Sequence, residues 1–544
     1  MEVNLTTADF PHAIRDAWNG ICTSQQREFA LAEFTKALNR NLRLWECFAM
    51  GLLALDLVIT LYGLGVKIPD TVLHISSDIA VVAFTELMVL IQLMQILLPV
   101  YPAEEFELLA LPQNIKNQSL CRWAAGLFGL QDAKFPKFAA FNMASAVLGV
   151  FWAWYAYDEA LTARLANAYK PLPVPEAPNY KSTDVSIIVA TIDTPDSFTD
   201  SLRLWLSNNP GEIIIVTIER DLKRVHDLVE PVIAECGDRI SLMTADYANK
   251  RHQLAVGIKE AKGKILALVD DDVFWGNTEV LPYLLAGFED PEVGAAVGKQ
   301  SAHITQDRRN SAIITPWEVA SLRSLDNQNN VQAVRFAADG GCFCLVGRTL
   351  LMRTEIGQDP RFTHAITNDR WGGKIQNTGD DVFITRWLQM EGWKFSIQNA
   401  PEAEVTTIVM RDSDLLRQVI RWQRSAIQSF LATVVYEPGI VKISKNHPYM
   451  ARKLIERLLR PILAWIHIAA FILGFLNQSP MAYFAAFWYI WGWIDTYRAF
   501  VRRFPWSVGQ IWACFLLDNA HPILDIYAWL TMSSDVWGTR NESA

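Results

Sequence analysis

Three aspartates, Asp270, Asp271 and Asp272, follow directly on an apolar run in "ILALVDDDVFW". Alternate residues of an extended chain point the same way, so Asp270 and Asp272 can share one ligand while Asp271 faces elsewhere. A carboxylate pair at the carboxyl end of a strand suits Mg²⁺ or Mn²⁺ that is itself bound to phosphate oxygens. A solvated acidic turn has the same composition. A second pair, Asp380 and Asp381 in "NTGDDVFITRWLQMEGW", stands just before a helical pattern. In "QVIRW", Gln418, Arg421 and Trp422 fall at i, i+3 and i+4, one face of a helix. An amphipathic helix with Trp422 in its core would show the same spacing. Lys250 and Arg251 precede a further helix in "NKRHQLAVGIKEAKG", either as cations near a nucleotide or as a solvated helix start.

The elements around these residues alternate. After the proline-rich, extended "KPLPVPEAP" comes the β-branched run Val185–Thr191, as in a buried parallel strand. A helix is expected over 197–206, a strand over Glu212–Ile218, a helix over 222–235, a short strand over Ile240–Met243 and a helix over 253–261. The strand "KILALVD" then ends at the aspartates. This is a doubly wound α/β pattern of the nucleotide-binding kind, whose ligands sit at the carboxyl ends of the strands.

The chain has 544 residues, 51% of them hydrophobic, with a mean hydropathy of +0.12. The apolar excess gathers at the two ends, which predicts membrane-spanning or interfacial helices on either side of a water-exposed middle. A net charge of −9 and the lack of a basic run argue against a nucleic-acid partner. Seven scattered cysteines with no CxxC pair support neither a zinc site nor a disulfide framework. The first residues do not read as a signal peptide. The predicted order is a cytosolic segment (1–45), a transmembrane hairpin (46–100), a loop with an apolar stretch at 138–157 that either crosses or lies in the interface (101–170), the α/β domain (171–410), interfacial amphipathic helices (411–458), C-terminal spans (459–534) and a tail (535–544). Within the C-terminal part, Val508–Met532 is interrupted by the polar "DNAHPILD". That stretch is read as re-entrant, interfacial or lining a polar path.

In this order and spacing, the aspartates, Asp380–Asp381 and QxxRW resemble the membrane-embedded family 2 glycosyltransferases: hyaluronan, chitin and cellulose synthases, and fungal capsular-type polysaccharide synthases. The resemblance covers roughly 185–424 and returns in the tail at Trp537-Gly538-Thr539-Arg540. It implies a GT-A fold and an inverting, processive transfer from a UDP-sugar to a growing polysaccharide, with Mg²⁺ or Mn²⁺ as cofactor. It further implies a plasma-membrane protein, in contact with the bilayer, whose catalytic domain and C-terminus are cytosolic. By the same resemblance Thr191, Asp193, Glu219, Lys250, Arg251, Asp270 and Arg421 would meet the nucleotide-sugar. Asp272, with Asp270, would hold the metal. Asp381 would be the catalytic base, with Asp380 beside it. Gln418, Trp422 and one of the pair Cys342 and Cys344 would meet the acceptor, both cysteines being equally readable as small core residues. Trp537 and Arg540 would close over the donor. A non-processive lipid glycosyltransferase of the ceramide type shares the aspartates and QxxRW, and a non-catalytic membrane scaffold of the same fold is a further alternative. The oligomeric state and the sugar are left open.

Overall fold

A computed structural model describes residues 137–534. The expected hairpin at 46–100 and the tail residues Trp537 and Arg540 lie outside the described residues. The described residues fall in two compact units, 154–466 with 484–534, and 137–153 with 467–483. The described part of the smaller unit packs Leu148 against Ala470 and Ala482. There the hydroxyls of Ser145 and Ser479 share a hydrogen bond of 2.7 Å.

The larger unit is built on a seven-stranded sheet. In chain order, α1 (Lys137–Ala168), whose residues from Trp154 on belong to this unit, is followed by β1 (Val185–Ala190), α2 (Phe198–Ser207), β2 (Glu212–Ile218), α3 (Leu222–Cys236) and β3 (Ile240–Ala245). Then come α4 (Lys250–Glu260), β4 (Ile265–Val269), β5 (Val273–Trp275), α5 (Val280–Leu285), β6 (Val293–Gly298) and β7 (Gln300–Ala302). The second half runs α6 (Pro316–Asp339), β8 (Thr349–Arg353), α7 (Thr354–Gly357), α8 (Pro360–Asn368), the short β9 (Arg370–Trp371) and β10 (Lys374–Ile375), α9 (Asp380–Glu391), β11 (Lys394–Gln398) and β12 (Val405–Thr407). The strand order is β11-β6-β8-β4-β1-β2-β3. β1, β2, β3 and β4 are mutually parallel where they pair, as their β-branched runs predict. β8 is antiparallel to both β4 and β6, so the sheet is mixed rather than wholly doubly wound. The reason is local. β8 starts from Arg348, whose carbonyl accepts the Asp270 amide at 3.1 Å, so it begins where β4 ends and must run the other way.

Both faces of the sheet are apolar. Ile187, Val189, Ile213 and Ile215 pack with Trp205 on one side, and Ile188, Ile214, Leu266 and Leu268 with Leu254 and Ile258 on the other. Each such side chain contributes about 1.5–3 kcal/mol on burial, which makes the central strands a rigid base for whatever stands at their ends. α4 begins at Lys250, three residues before the predicted start. Asn249 caps it, its side-chain oxygen accepting the His252 amide at 3.0 Å.

The C-terminal helices are α10 (Asp414–Val435), α11 (Ile440–Asn446), α12 (Pro448–Leu476), α13 (Pro480–Arg503) and α14 (Ile511–Leu530). Among the described residues, α12 is the one helix long and apolar enough to cross a membrane. The interrupted run at 508–532 is an unbroken helix over most of its length, with Pro522 inside it. Its polar residues have protein partners. Asp518 accepts the Tyr497 hydroxyl at 3.0 Å and lies 3.4 Å from Arg323 on α6. Asp525 is fully buried and accepts from Arg457 at 2.8 Å and Arg460 at 2.7 Å.

Candidate active site

β1 and β4 are neighbours in the sheet although five elements separate them in the chain, which makes their carboxyl ends a topological switch point and the expected place for a ligand. Thr191 follows β1, is buried, and its hydroxyl donates to Asp271 at 2.6 Å, tying the two strand ends together. Asp193 takes a left-handed backbone (φ 47°), its amide donates to the Asp221 carboxylate at 3.0 Å, and its own carboxylate accepts from Arg220 at 3.1 Å. Glu219, expected at the end of β2, is exposed, and the buried carboxylate there is Asp221. Glu219 and Asp221 both follow the strand in "IIIVTIERD", and it is the fold that encloses the second of them.

A cleft of about 580 Å³ opens at this edge. Lys250, the three consecutive aspartates, Asp380, Asp381, Gln418, Arg421 and Trp422 all line it. Four separate stretches of the sequence therefore meet in one place. Lys250 joins two of them: its ammonium lies 2.7 Å from Asp270 and 3.0 Å from Asp380. Burial works against that charge, but the two carboxylates outweigh it and hold Lys250 above the usual lysine range. Asp271 does not face away from the cleft, but its carboxylate is occupied by Thr191.

Gly379 sets the second acidic pair. Its left-handed backbone (φ 69°) caps α9 and puts Asp380 and Asp381 in the first helical turn, where the helix dipole favours anions. A Cβ at Gly379 would stand 3.0 Å from Ser425 and from Val382. The two acids then diverge. Asp380 is buried, yet Lys250 keeps it below the usual carboxylate range. Asp381 turns to the loop before β8, accepting the Gly347 amide at 3.4 Å and contacting the Cys344 thiol. Burial, and then the charge of Asp380, push Asp381 upward. A carboxylate raised in this way is suited to taking up a proton.

Two residues expected at the ligand lie elsewhere. Arg251 is buried under the acidic turn, donating to Asp369 at 2.8 Å and to the carbonyls of Thr378 and Gly379, with its guanidinium 5.2 Å from the Phe383 ring centre. It supports the Asp380–Asp381 turn rather than lining the cleft. Cys342 belongs to the apolar core, whereas Cys344 lines the cleft. Cleft residues absent from the sequence reading include Arg348, which lies 5.5 Å from the Trp422 ring centre and donates to Gln300, and the α6 residues Ser321, Ser324, Gln328 and Gln332. Their spacing along "SLRSLDNQNNVQ" is helical, a signal that was available.

Asp270 and Asp272 both face the cleft, and Asp270 also accepts from Lys250. No group of three or more acid, histidine or cysteine ligands forms among the described residues. This donor set fits a hard divalent cation of the Mg²⁺ or Mn²⁺ type, which takes one or two carboxylates and draws its other ligands from phosphate and water.

A mixed, largely parallel sheet with a switch-point cleft of carboxylates and cations defines a GT-A-like α/β domain. Residues 183–425 match "Glycosyltransferase like family 2". The "NDP-glycosyltransferase ltbB" of Aspergillus luteorubrus is 48% identical over 396 residues, 72% of this chain and 97% of that protein. A "Type 2 glycosyltransferase" of Zymoseptoria tritici is 31% identical over 415 residues, 73% of this chain and 85% of that one. Among solved structures, the mannosyltransferase PcManGT from Pyrobaculum calidifontis, in complex with GDP-Man and Mn²⁺, superposes with a TM-score of 0.47 at 16% identity, over 73% of this chain and 100% of that one. The chain belongs to the family 2 glycosyltransferases and is a nucleotide-sugar-dependent enzyme.

Proposed function

We propose that the protein is a membrane-associated enzyme that transfers sugar from a UDP-sugar with inversion at the anomeric carbon, adding it repeatedly to a growing polysaccharide that leaves through the membrane. The observation that carries the transfer step is the meeting of Asp381 with the Asp270–Asp272 run in one cleft, where Lys250 bridges Asp270 and Asp380. Inversion needs one attack by an acceptor hydroxyl on the face opposite the leaving diphosphate. Asp381 takes the hydroxyl proton as the new bond forms, which is worth about 10²–10⁴-fold in rate. Lys250 and Arg421 offset negative charge developing on the diphosphate. Asp272, with Asp270, would hold a divalent cation that supplies Lewis-acid neutralisation of the same charge. Trp422 gives a flat surface that orients an acceptor ring, and Gln418, on the same helix face, hydrogen-bonds it.

Polymerisation rests on the resemblance of the motif order and of the Trp537–Arg540 tail to processive synthases. The test is UDP release by the purified protein against a panel of UDP-sugars with Mg²⁺ and Mn²⁺, followed by sizing of the radiolabelled product. A long polymer is expected. A single organic-extractable glycolipid would replace the processive reading with lipid glycosylation. No release of nucleotide from any donor would overturn both.

A further inference from the structure

Arg335, on α6, lines the same cleft but makes no hydrogen bond and no ion pair among the described residues. Its Nε is enclosed without an acceptor, and its guanidinium lies 3.6 Å from the centre of the Phe343 ring. Burial lowers its pKa to about 10, which leaves it charged at neutral pH. Arg335 is partly exposed to the cleft, feels the charge of Glu456, and has no carboxylate at ion-pair distance among the described residues, so its fork is open to an anionic partner.

The surroundings do not complete it. Arg457 and Arg460 of α12 line the cleft as well, and both spend their charge on the single carboxylate of Asp525. Beyond them, Arg452 and Lys453 share Asp158 and Glu456. Five cations (Arg335, Arg452, Lys453, Arg457, Arg460) stand with four carboxylates (Asp158, Glu456, Asp525 and Asp339, which accepts the Tyr449 and Met450 amides at the start of α12), a net charge of +1 within this cluster. The cluster is close to the chemistry. Phe343 sits under Arg335, and the next residue, Cys344, touches Asp381. The diphosphate has its own cations in Lys250 and Arg421, beside the aspartates.

We infer that the acceptor carries an oxyanion, a carboxylate or a phosphate, and that Arg335 holds it beside Asp381 with Arg457 contributing to the field. A planar guanidinium with its fork unoccupied matches two oxygens of either group. The inference rests on the glycosyl-transfer reading above.

The experiment uses full-length protein in nanodiscs with saturating UDP, so that the diphosphate subsite is filled. Glucuronate is titrated against its neutral counterpart glucose, and octyl phosphate against octyl glucoside, by calorimetry. At least one anionic probe should bind ten-fold or more tightly than its neutral counterpart, less so in high salt. Arg335→Gln should abolish that preference and Arg335→Lys, which keeps the charge without the fork, should retain part of it. UDP affinity and the melting midpoint report whether each variant is folded, and Arg335→Lys carries the test if the glutamine variant is not. Preference for glucuronate identifies an acidic sugar as the acceptor, and preference for octyl phosphate a lipid phosphate. Equal binding of charged and neutral probes, or an undiminished preference in a folded Arg335→Gln or Arg335→Lys protein, overturns the inference. UDP release by the wild-type protein is measured alongside. Its failure would sink the transfer reading, whereas a missing anion preference with UDP release intact sinks only this one.

Discussion

At the scale of single residues, the two adjacent acids of α9 are made unequal by what each one faces. Asp380 is neutralised by Lys250, while Asp381 is pushed upward by burial and by Asp380 itself. Asp381→Asn should lower turnover by about 10²–10⁴-fold while UDP binding is retained, measured as UDP release and by titration of UDP. The pH dependence follows from the same pair. A base works only when deprotonated, so turnover is lost as pH falls through the raised pKa of Asp381. The acid limb of the rate profile should therefore lie above the ordinary aspartate range. Asp380→Asn removes the like charge that raises Asp381, so the limb should move to lower pH. A limb that stays in place, or moves up, would mean that Asp381 is not the titrating group.

At the scale of elements, α4 must approach β1 and β2 closely for Lys250 to reach both carboxylates. Gly257 permits that approach: a Cβ there would meet the Ile188 methyl at 2.6 Å and the Val216 methyl at 3.1 Å. Gly257→Ala should cost about 1–3 kcal/mol in denaturant unfolding, as overpacking does, and should reduce turnover because it displaces the helix that carries Lys250. Asp525→Ala leaves Arg457 and Arg460 without their counter-ion. Breaking a buried pair costs about 3–5 kcal/mol. The lower end applies here, since Arg460 keeps 31% exposure, and the loss should be read from the melting midpoint. These elements also show what a sequence makes legible. The runs "VSIIVA", "EIIIVTI" and "ILALV" state their burial in their composition, and they fold as β1, β2 and β4. Gln418, Arg421 and Trp422 share a face because helical spacing requires it. By contrast, Lys250 and Arg251 are adjacent cations, and nothing in their order tells which one enters the cleft and which supports the acidic turn. That depends on Asp369, more than a hundred residues away. The reversal of β8 and the pairing of Asp525 with α12 are equally non-local. A polar "DNAHPILD" in an apolar run looks costly until the arginines that meet it are known.

At the scale of the whole molecule, three C-terminal helices carry exposed apolar side chains among the described residues. α12 is 29 residues long, and its most apolar stretch is only 28% buried, unlike the core helix of a water-soluble domain. At 1.5 Å per residue it extends about 44 Å, more than the roughly 30 Å of a hydrocarbon layer. Ile472 and Leu476 on α12, Phe487 and Trp491 on α13, and Leu516 and Leu530 on α14 are each more than half exposed. Exposed apolar side chains of this kind would suit the membrane contact proposed above. The protein is therefore expected to stay in the membrane fraction after carbonate extraction and to need detergent for release. A peripheral protein held only by charge would be freed by carbonate or by high salt. Replacing Ile468 and Ile472 with aspartate places two charges in the apolar stretch of α12, each costing about 2.5–3.5 kcal/mol at the centre of a helix that spans. Insertion should then fail in a glycosylation-mapping assay. Release of the protein by carbonate, with a glycosylation pattern that the double substitution leaves unchanged, would show that α12 does not span and that the exposed aromatic residues of α13 serve another partner.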